Sequence, residues 1–327
     1  MQKKKITKNE LIKTQQIITK LDKHYKSKII GQDNLKISLF ISLIANGHIL
    51  LESMPGLAKT TSAKTITEAF NGSFSRIQAT PDILPTDIIG TQIYNNVNNS
   101  FETRLGPIFA NFILIDEINR SNPKSQSATL EAMQEKQVTI DKETYYLPKI
   151  FTVIATINPI EQEGTYQLAE AQLDRFLLKE KITYPTLEEE LKIINKIEQN
   201  KYSEIKSTLT LSDLEYLQEI SERVYIDESI KIYIIKIIDA TRNPHKYIEK
   251  SYADYIELGA SPRATIAFIK CSKALALLNN RDYVIPDDII KLKYNVLAHR
   301  IKLSFYAISE NITEEMIIDK IFDSIQV

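Results

Sequence analysis

Between Gly31 and about Tyr184 the chain sets short apolar runs against longer stretches of helical periodicity. Alternation of this kind is the α/β signature of a mostly parallel sheet covered by helices. Three runs predict buried strands: His48 to Leu51, Asn111 to Ile115 and Phe151 to Thr156. Each is followed at once by polar or charged residues, and an open α/β sheet binds its ligand beyond the carboxyl ends of its strands. Lys59, Asp116, Glu117 and Asn158 are therefore expected to converge on one crevice. Two segments break the alternation. Ile93 to Leu105, around Asn95-Asn96-Val97-Asn98-Asn99, reads as a hairpin inserted into a helix, and Gln137 to Pro148, around Asp141-Lys142, as a second hairpin. The Asn-rich turn suits positions with φ > 0. Each segment fits a plain surface loop equally well.

After Tyr184-Pro185 no further strand is predicted. Thr186-Leu187-Glu188-Glu189 is a capping box that opens a helix, and Ser212-Asp213-Leu214-Glu215 opens another whose Leu214, Leu217, Ile220 and Val224 share one face. Ser261 as N-cap, with Pro262 at the first helical position, starts a further helix and puts Arg263 in its first turn. At 327 residues the chain exceeds the usual size of a single core. The expected division is an α/β domain over residues 1–184 and a smaller helical domain over 185–327.

Composition narrows the class. Apolar residues at 43% and charged residues at 25% describe an ordinary globular protein rather than a disordered or fibrous one. A net charge of -1 leaves no basic footprint for nucleic acid at the level of the whole chain, which still leaves room for a local basic groove, and Lys3-Lys4-Lys5 reads as a solvated tail. The one cysteine, Cys271, has no partner for an internal disulfide, which fits a core position in a reducing compartment and a cytoplasmic protein. His24, His48, His245 and His299 are scattered, so a structural metal is not expected. The longest apolar stretch, Ile37 to Leu51, is shorter than a membrane span and is broken by Asn46-Gly47, and no apolar h-region follows the Lys-rich start.

The chemistry begins after the first strand. Ser53-Met54-Pro55-Gly56-Leu57-Ala58-Lys59-Thr60-Thr61 is a degenerate form of G-x-x-x-x-G-K-[ST], with Ser53 and Ala58 at the two glycine positions and Gly56 as its only glycine. Such a loop cradles phosphates with backbone N–H groups, sends Lys59 to the β and γ oxygens and gives the Thr60 hydroxyl to Mg²⁺. ATP and Mg²⁺ are the expected cofactors. A Cβ on Ser53 is expected to strain the turn. Phe112-Ile113-Leu114-Ile115-Asp116-Glu117 is an apolar strand ending in two acids, the form in which such an enzyme holds its metal through Asp116 and activates water through Glu117. The competing reading is a strand that ends in a solvated turn. Asn158, before Pro159, either holds water or a γ-phosphate oxygen or makes an ordinary Asn-Pro turn. Arg175, in Leu173-Asp174-Arg175-Phe176, either stabilises transition-state charge or forms a surface ion pair.

Pro55-Gly56-Leu57-Ala58-Lys59-Thr60, Ile115-Asp116-Glu117-Ile118-Asn119-Arg120, Leu130-Glu131-Ala132-Met133-Gln134-Glu135, Asn158 to Tyr166, Glu170 to Phe176 and Gly259-Ala260-Ser261-Pro262-Arg263-Ala264 together resemble the MoxR family of AAA+ ATPases. The likeness runs in order from about Ile30 to Arg300. It implies an AAA+ P-loop αβα domain followed by a smaller all-helical lid. It also implies roles: Lys59 and Thr60 as Walker A, Asp116 and Glu117 as Walker B, Asn158 as sensor 1, Arg175 as arginine finger and Arg263 as sensor 2. The hairpins would be the helix-2 and pre-sensor-1 inserts that line the face or pore of a homo-oligomeric ring, a hexamer. Relatives of this kind are chaperones for maturation, assembly or cofactor insertion of client proteins, often with a partner carrying a von Willebrand A domain. Three alternatives stand beside this: a helicase-like nucleic-acid motor, which the near-zero charge and a first hairpin poor in Lys and Arg oppose; a metal-chelatase motor subunit; and a nucleotide-gated binding module with little turnover, for which Ser53 is the support.

Overall fold

The computed structural model describes residues 5–54, 56–160, 164–198 and 207–326. The chain forms two compact units, one of Ile17–Leu168 with Glu180–Glu215, the other of Met1–Gln16, Ala169–Lys179 and Tyr216–Val327. The chain passes through α1 (Lys8–Lys28), α2 (Asp33–Ile44), β1 (Ile49–Ser53), α3 (Lys59–Phe70), β2 (Phe74–Gln78), α4 (Pro85–Ile89), β3 (Gly90–Asn95), β4 (Ser100–Leu105), β5 (Phe112–Asp116), α5 (Pro123–Glu135), β6 (Gln137–Ile140), β7 (Glu143–Tyr146) and β8 (Thr152–Ile157). Then come α6 (Glu170–Leu173), β9 (Leu178–Ile182), α7 (Leu187–Glu198) and α8 (Leu211–Arg223).

Five strands form one sheet in the order β2-β5-β8-β1-β9, and the ladders joining the first four are parallel. The three predicted strands are all present, each beginning one residue later than expected and ending one residue later, or two for β1, because the ladders continue to Gln78 with Asp116 and to Glu52 with Ile157. Two strands had no apolar run to announce them. β2 reads Phe-Ser-Arg-Ile-Gln and, as an edge strand, buries only Ile77. β9 reads Leu-Lys-Glu-Lys-Ile and buries Glu180, whose carboxylate accepts from the Ser38 hydroxyl. A charge hidden by pairing leaves no hydrophobic signal.

His48 braces the middle of this unit. Its Nδ1 accepts from the Val153 N–H at 3.0 Å, and its Nε2 lies 3.1 Å from the Met133 carbonyl. An Nδ1 that accepts leaves the proton on Nε2, so one imidazole joins the start of β8 to the end of α5.

Both predicted hairpins exist. β3 pairs with β4 from Gly90 with Leu105 to Asn95 with Ser100, and β6 pairs with β7 from Gln137 with Tyr146 to Ile140 with Glu143. The first is not inserted into a helix, however. α4 precedes it, but the chain after Leu105 goes through turns straight into β5. Two glycines form its neck. Gly90 has φ 107, and a Cβ there would sit 2.4 Å from the Arg104 carbonyl oxygen; one on Gly106 would sit 2.2 Å from that of Ile88. Of the Asn-rich turn only Asn99 adopts a positive φ, at 46°. Asn95 instead turns its Oδ1 back onto the Val97 N–H at 2.9 Å.

The second unit is helical: α9 (Glu228–Arg242), α10 (Lys250–Ala253), β10 (Ile256–Leu258), α11 (Pro262–Leu278), α12 (Pro286–Lys291), α13 (Lys293–Leu297), β11 (Lys302–Leu303), α14 (Phe305–Ser309) and α15 (Glu314–Ser324). α9, α11, α13 and α15 pack in a closed cycle, with Phe322 lying 6.4 Å from Tyr233 and 6.5 Å from Phe268 between ring centroids. Strands do not end at Tyr184 as expected, since β10 and β11 form a short antiparallel ribbon within the helices. The Thr186 and Glu189 capping box is present. The α8 cap lies two residues before the predicted Ser212: Thr210 and Asp213 exchange the reciprocal bonds, and the helix begins at Leu211. Leu214, Leu217, Ile220 and Val224 are buried as the pattern predicts. Cys271 is a core residue whose thiol burial pushes up to about 12. Among the described residues no helix is long and apolar enough to cross a membrane.

Replacing His48 by Leu leaves the Val153 N–H and the Met133 carbonyl without this partner in a dry interior, so the protein is expected to lose about 2 kcal/mol or more of stability. Urea unfolding of His48→Leu against the parent checks this; an unchanged midpoint would remove His48 from the framework.

Candidate nucleotide site

β1, β8 and β5 are neighbours in the sheet in that order, and their carboxyl ends deliver the loop 54–58, Thr156 to Asn158, and Asp116 with Glu117 to one edge. Four of the sequence-predicted residues thus share that edge, as the strand pattern required: Lys59, Asp116, Glu117 and Asn158.

The loop leaves β1 at Ser53, which is buried and donates its hydroxyl to the Met54 carbonyl at 2.8 Å. Pro55 lies outside the described residues, as do Glu161, Gln162 and Glu163 of the Asn158 to Tyr166 motif. Gly56 has φ 83 and open space around it, Leu57 is buried and anchors the turn, and Ala58 has φ 57 and ψ 21. The strain expected at Ser53 is therefore at Ala58. Ser53 is the last residue of a strand and is absent from the positive-φ positions, whereas Ala58 carries a Cβ in left-handed backbone. Ala58 also gives α3 no side-chain cap, so the first N–H groups of a helix of 12 residues keep their donors for something else. Lys59 opens that helix, with its Nζ 3.4 Å from the Ser53 carbonyl across the loop. Thr60 and Thr61 follow in the first turn, Thr60 half-buried and Thr61 exposed.

Asp116 ends β5 and is buried. Its Oδ2 accepts from Arg76 Nε at 2.7 Å, and Arg76 Nη2 continues to Gln78 Oε1 at 3.2 Å. Glu117 has φ 56, a second non-glycine residue in left-handed backbone. Its N–H is caught by the Thr156 hydroxyl at 2.9 Å, and its Oε2 accepts from Arg120 Nη1 at 3.1 Å. The turn from Ile118 to Ser121 is itself held by buried Gln126, whose amide donates to the Ser121 carbonyl at 3.0 Å and the Tyr166 carbonyl at 3.1 Å. Backbone strain kept in place by several bonds is characteristic of functional turns. Asn158 is buried and its Oδ1 accepts from the Ile160 N–H at 3.2 Å. The ordinary Asn-Pro turn is thus made by the amide oxygen, and no partner among the described residues takes its NH₂.

Hard oxygen donors are what Mg²⁺ requires, and the Asp116 carboxylate and Thr60 hydroxyl are donors of that kind. Among the described residues no group of three or more His, Cys, Asp or Glu is placed to hold a metal by itself. A set this small would fit an ion that takes its remaining oxygens from elsewhere.

Arg175 and Arg263 belong to the helical unit. Ser261 caps α11, accepting from the Arg263 N–H at 3.0 Å. Arg263 Nη1 lies 3.9 Å from Asp174 Oδ2, the same oxygen that accepts from the Ser261 hydroxyl at 2.6 Å. Asp174 pairs with Arg300, not with its neighbour Arg175. The surface ion pair weighed for Arg175 is absent: its Nε is buried without a partner, and no ion pair within the described residues engages its guanidinium. Burial beside Arg300 holds the His299 imidazole well below its ordinary range, while its Nε2 lies 3.2 Å from the Phe176 carbonyl.

Sequence reasoning missed Arg76, Thr156 and Arg300 and gave Arg120 no role. Arg76 stood on an unrecognised strand, and Thr156 looked like one more β-branched strand residue. Asp174 and Arg300 lie far apart in sequence, so no local pattern links them.

Residues 48–178 match the ATPase family associated with various cellular activities (AAA), and residues 248–321 match the AAA lid domain. The chain is 43% identical to Chaperone MoxR1 of Mycobacterium tuberculosis, over 92% of this chain and 79% of that protein. It is 42% identical to the uncharacterized protein YeaC of Bacillus subtilis over 95% of each. The crystal structure of a candidate ATPase from Cytophaga hutchinsonii superposes with a TM-score of 0.91 at 43% identity, covering 97% of each chain. An AAA core with an AAA lid, built on a parallel sheet and followed by helices, defines an AAA+ ATPase. The chain belongs to the MoxR family of these ATPases.

Two expectations follow. Ala58→Gly relieves left-handed strain of about 1–2 kcal/mol, less the roughly 0.5–1 kcal/mol entropy that glycine loses on folding, whereas Ser53→Gly only weakens a strand end. Thermal unfolding is thus expected to rise or hold for the first and fall for the second; the opposite order would return the strain to Ser53. In addition, His299 binds a proton in the unfolded chain below about 6.5 but not in the fold, so stability present above that pH is lost as pH falls through it, by at most about 1.4 kcal/mol per pH unit. Urea unfolding at pH 7.5 and 5.5 is expected to show a smaller drop in His299→Gln than in the parent.

Proposed function

We propose that this protein hydrolyses ATP with Mg²⁺ and uses the cycle to drive chaperone-type maturation, assembly or cofactor insertion of a partner protein. The observation that carries this reading is the convergence of the Lys59 loop, Asp116, Glu117 and Asn158 at one edge of an AAA+ sheet. The uncapped start of α3, loop residues Ser53 to Thr61 and the Lys59 ammonium bind the phosphates. Thr60 and Asp116 would hold Mg²⁺, which when bound would neutralise phosphate charge.

Glu117 is the general base. It takes a proton from water as the water oxygen bonds to the γ-phosphorus and the bond to the β–γ bridging oxygen breaks. For that, its carboxylate must exchange the Arg120 contact for the water, a modest change because both partners are partly exposed. The Asn158 NH₂ orients the water or a γ oxygen. Arg175 and Arg263 supply positive charge to the transferring phosphate. Arg175 acts on the nucleotide of a neighbouring subunit, which makes the working form a homo-oligomeric ring, read here as a hexamer, with the two hairpins as its helix-2 and pre-sensor-1 inserts. The proposed lid begins at residue 185. A client protein, such as one with a von Willebrand A domain, is the proposed partner, in the cytoplasm.

Glu117→Gln is expected to keep ATP binding and lose turnover by about 10²-fold or more, because an amide cannot take the proton. Lys59→Ala is expected to weaken binding itself, by about tenfold or more for a lost charge-assisted contact. Steady-state phosphate release and nucleotide titration separate the two, and a Glu117→Gln variant that turns over like the parent sinks the assignment. Arg175→Ala subunits are expected to regain activity when mixed with Glu117→Gln subunits, since only a mixed junction joins an intact Glu117 to an intact Arg175. Mixed oligomers with no recovery would place Arg175 in its own subunit's chemistry.

A further inference from the structure

Arg300 is the most deeply buried arginine of the helical unit, its side chain only 2% exposed, and all three of its nitrogens donate hydrogen bonds. Nε donates to Asp174 Oδ1 at 2.8 Å, Nη2 to the Phe176 carbonyl at 2.6 Å, and Nη1 both to the Leu177 carbonyl at 3.2 Å and to the Val296 carbonyl at 2.6 Å. Three of these four partners are residues 174, 176 and 177. They flank Arg175 on both sides, and Arg300 does not pair with Arg175 itself. Two neighbours reinforce the grip: His299 Nε2 on the Phe176 carbonyl, and Asn295 Nδ2 on the Lys179 carbonyl at 3.1 Å. Inside this clamp the Arg175 Nε is buried and unpartnered.

We infer that Arg300 is the positioning residue for Arg175: it fixes the backbone around the finger while leaving the finger's own guanidinium free for an outside anion. Preorganisation of this kind is what makes a charge effective in a transition state, because it does not have to be reorganised when the reaction occurs. Only arginine can do this here, since a planar fork of five donors reaches one carboxylate and three carbonyls at once, and a lysine offers three donors from one point. Asp174 extends the clamp, because its second oxygen holds Ser261 and faces Arg263. The finger and the start of α11 are therefore tied to one anchor.

The inference rests on the reading of Arg175 as a nucleotide-facing residue, and a double-mutant cycle on the full-length protein separates the two. Arg300→Lys is expected to keep its ATP dissociation constant within about threefold of the parent while turnover falls about tenfold or more. If Arg300 acts through Arg175, the Arg175→Ala/Arg300→Lys double variant turns over within about twofold of Arg175→Ala alone, because the interaction has already been removed. A merely structural Arg300 instead multiplies the two losses, and that result overturns the inference, as does an Arg300→Lys variant with parental turnover. An Arg175→Ala variant with parental turnover overturns the reading of Arg175 first and the inference with it. Should Arg300→Lys show no cooperative unfolding transition, Asp174→Asn, which weakens the same clamp while preserving shape, takes its place in the cycle with the same outcomes.

Discussion

The ladder between β5 and β8 runs in parallel register from Phe112 with Thr152 to Ile115 with Ala155, so Asp116 and Thr156 leave the sheet as neighbours. That register lets the Thr156 hydroxyl reach the Glu117 N–H, a bond worth about 1 kcal/mol that offsets part of the roughly 1–3 kcal/mol stored in a left-handed glutamate. A slip of one residue would turn every β8 side chain to the opposite face of the sheet and carry the Thr156 hydroxyl away from the Glu117 N–H. The buried His48 contact to Val153 pins the start of the same strand, and β1 pairs with β8 on its other side. The placement of every group at the candidate nucleotide edge follows from this one strand being held in register.

Two kinds of ion pair divide the work. Arg76 and Arg120 hold the two acids from positions that water reaches, their side chains 52% and 40% exposed. With both side chains partly exposed, the Arg120 pair is worth about 0–1 kcal/mol, whereas the Arg76 pair is open to water on the arginine side alone. The Asp174 and Arg300 pair is the opposite case, buried and braced by three backbone carbonyls, and breaking it by removing one partner costs about 3–5 kcal/mol. One set holds its acids loosely. The other builds a rigid frame.

The parts of the fold that bury unbroken apolar runs were legible in the sequence: β1, β5 and β8, and with them the residues that follow. The two hairpins were legible from turn residues flanked by alternation. What escaped notice was held together by polar contacts between distant residues. β9 conceals a paired glutamate, β2 shows one buried side chain on a sheet edge, and the Arg300 clamp joins residues 126 positions apart. At Ser53 and Ala58 the motif correctly flagged missing glycines, but it carried no backbone angles, so it could not tell which of the two sits at positive φ.

The glycine neck of the first hairpin has a consequence for how this protein can diverge. Gly90 and Gly106 are confined by backbone atoms within 3 Å, so the exit from the ATPase core admits no side chain at either position. Beyond it, exposed Ile93, Tyr94, Val97 and Phe101 make few demands on the rest of the molecule. Mutation can therefore rewrite the tip, in length as well as chemistry, while the neck insulates the sheet from the change. Descendants of one such chain could present new surfaces at the tip and inherit an unaltered core beneath it.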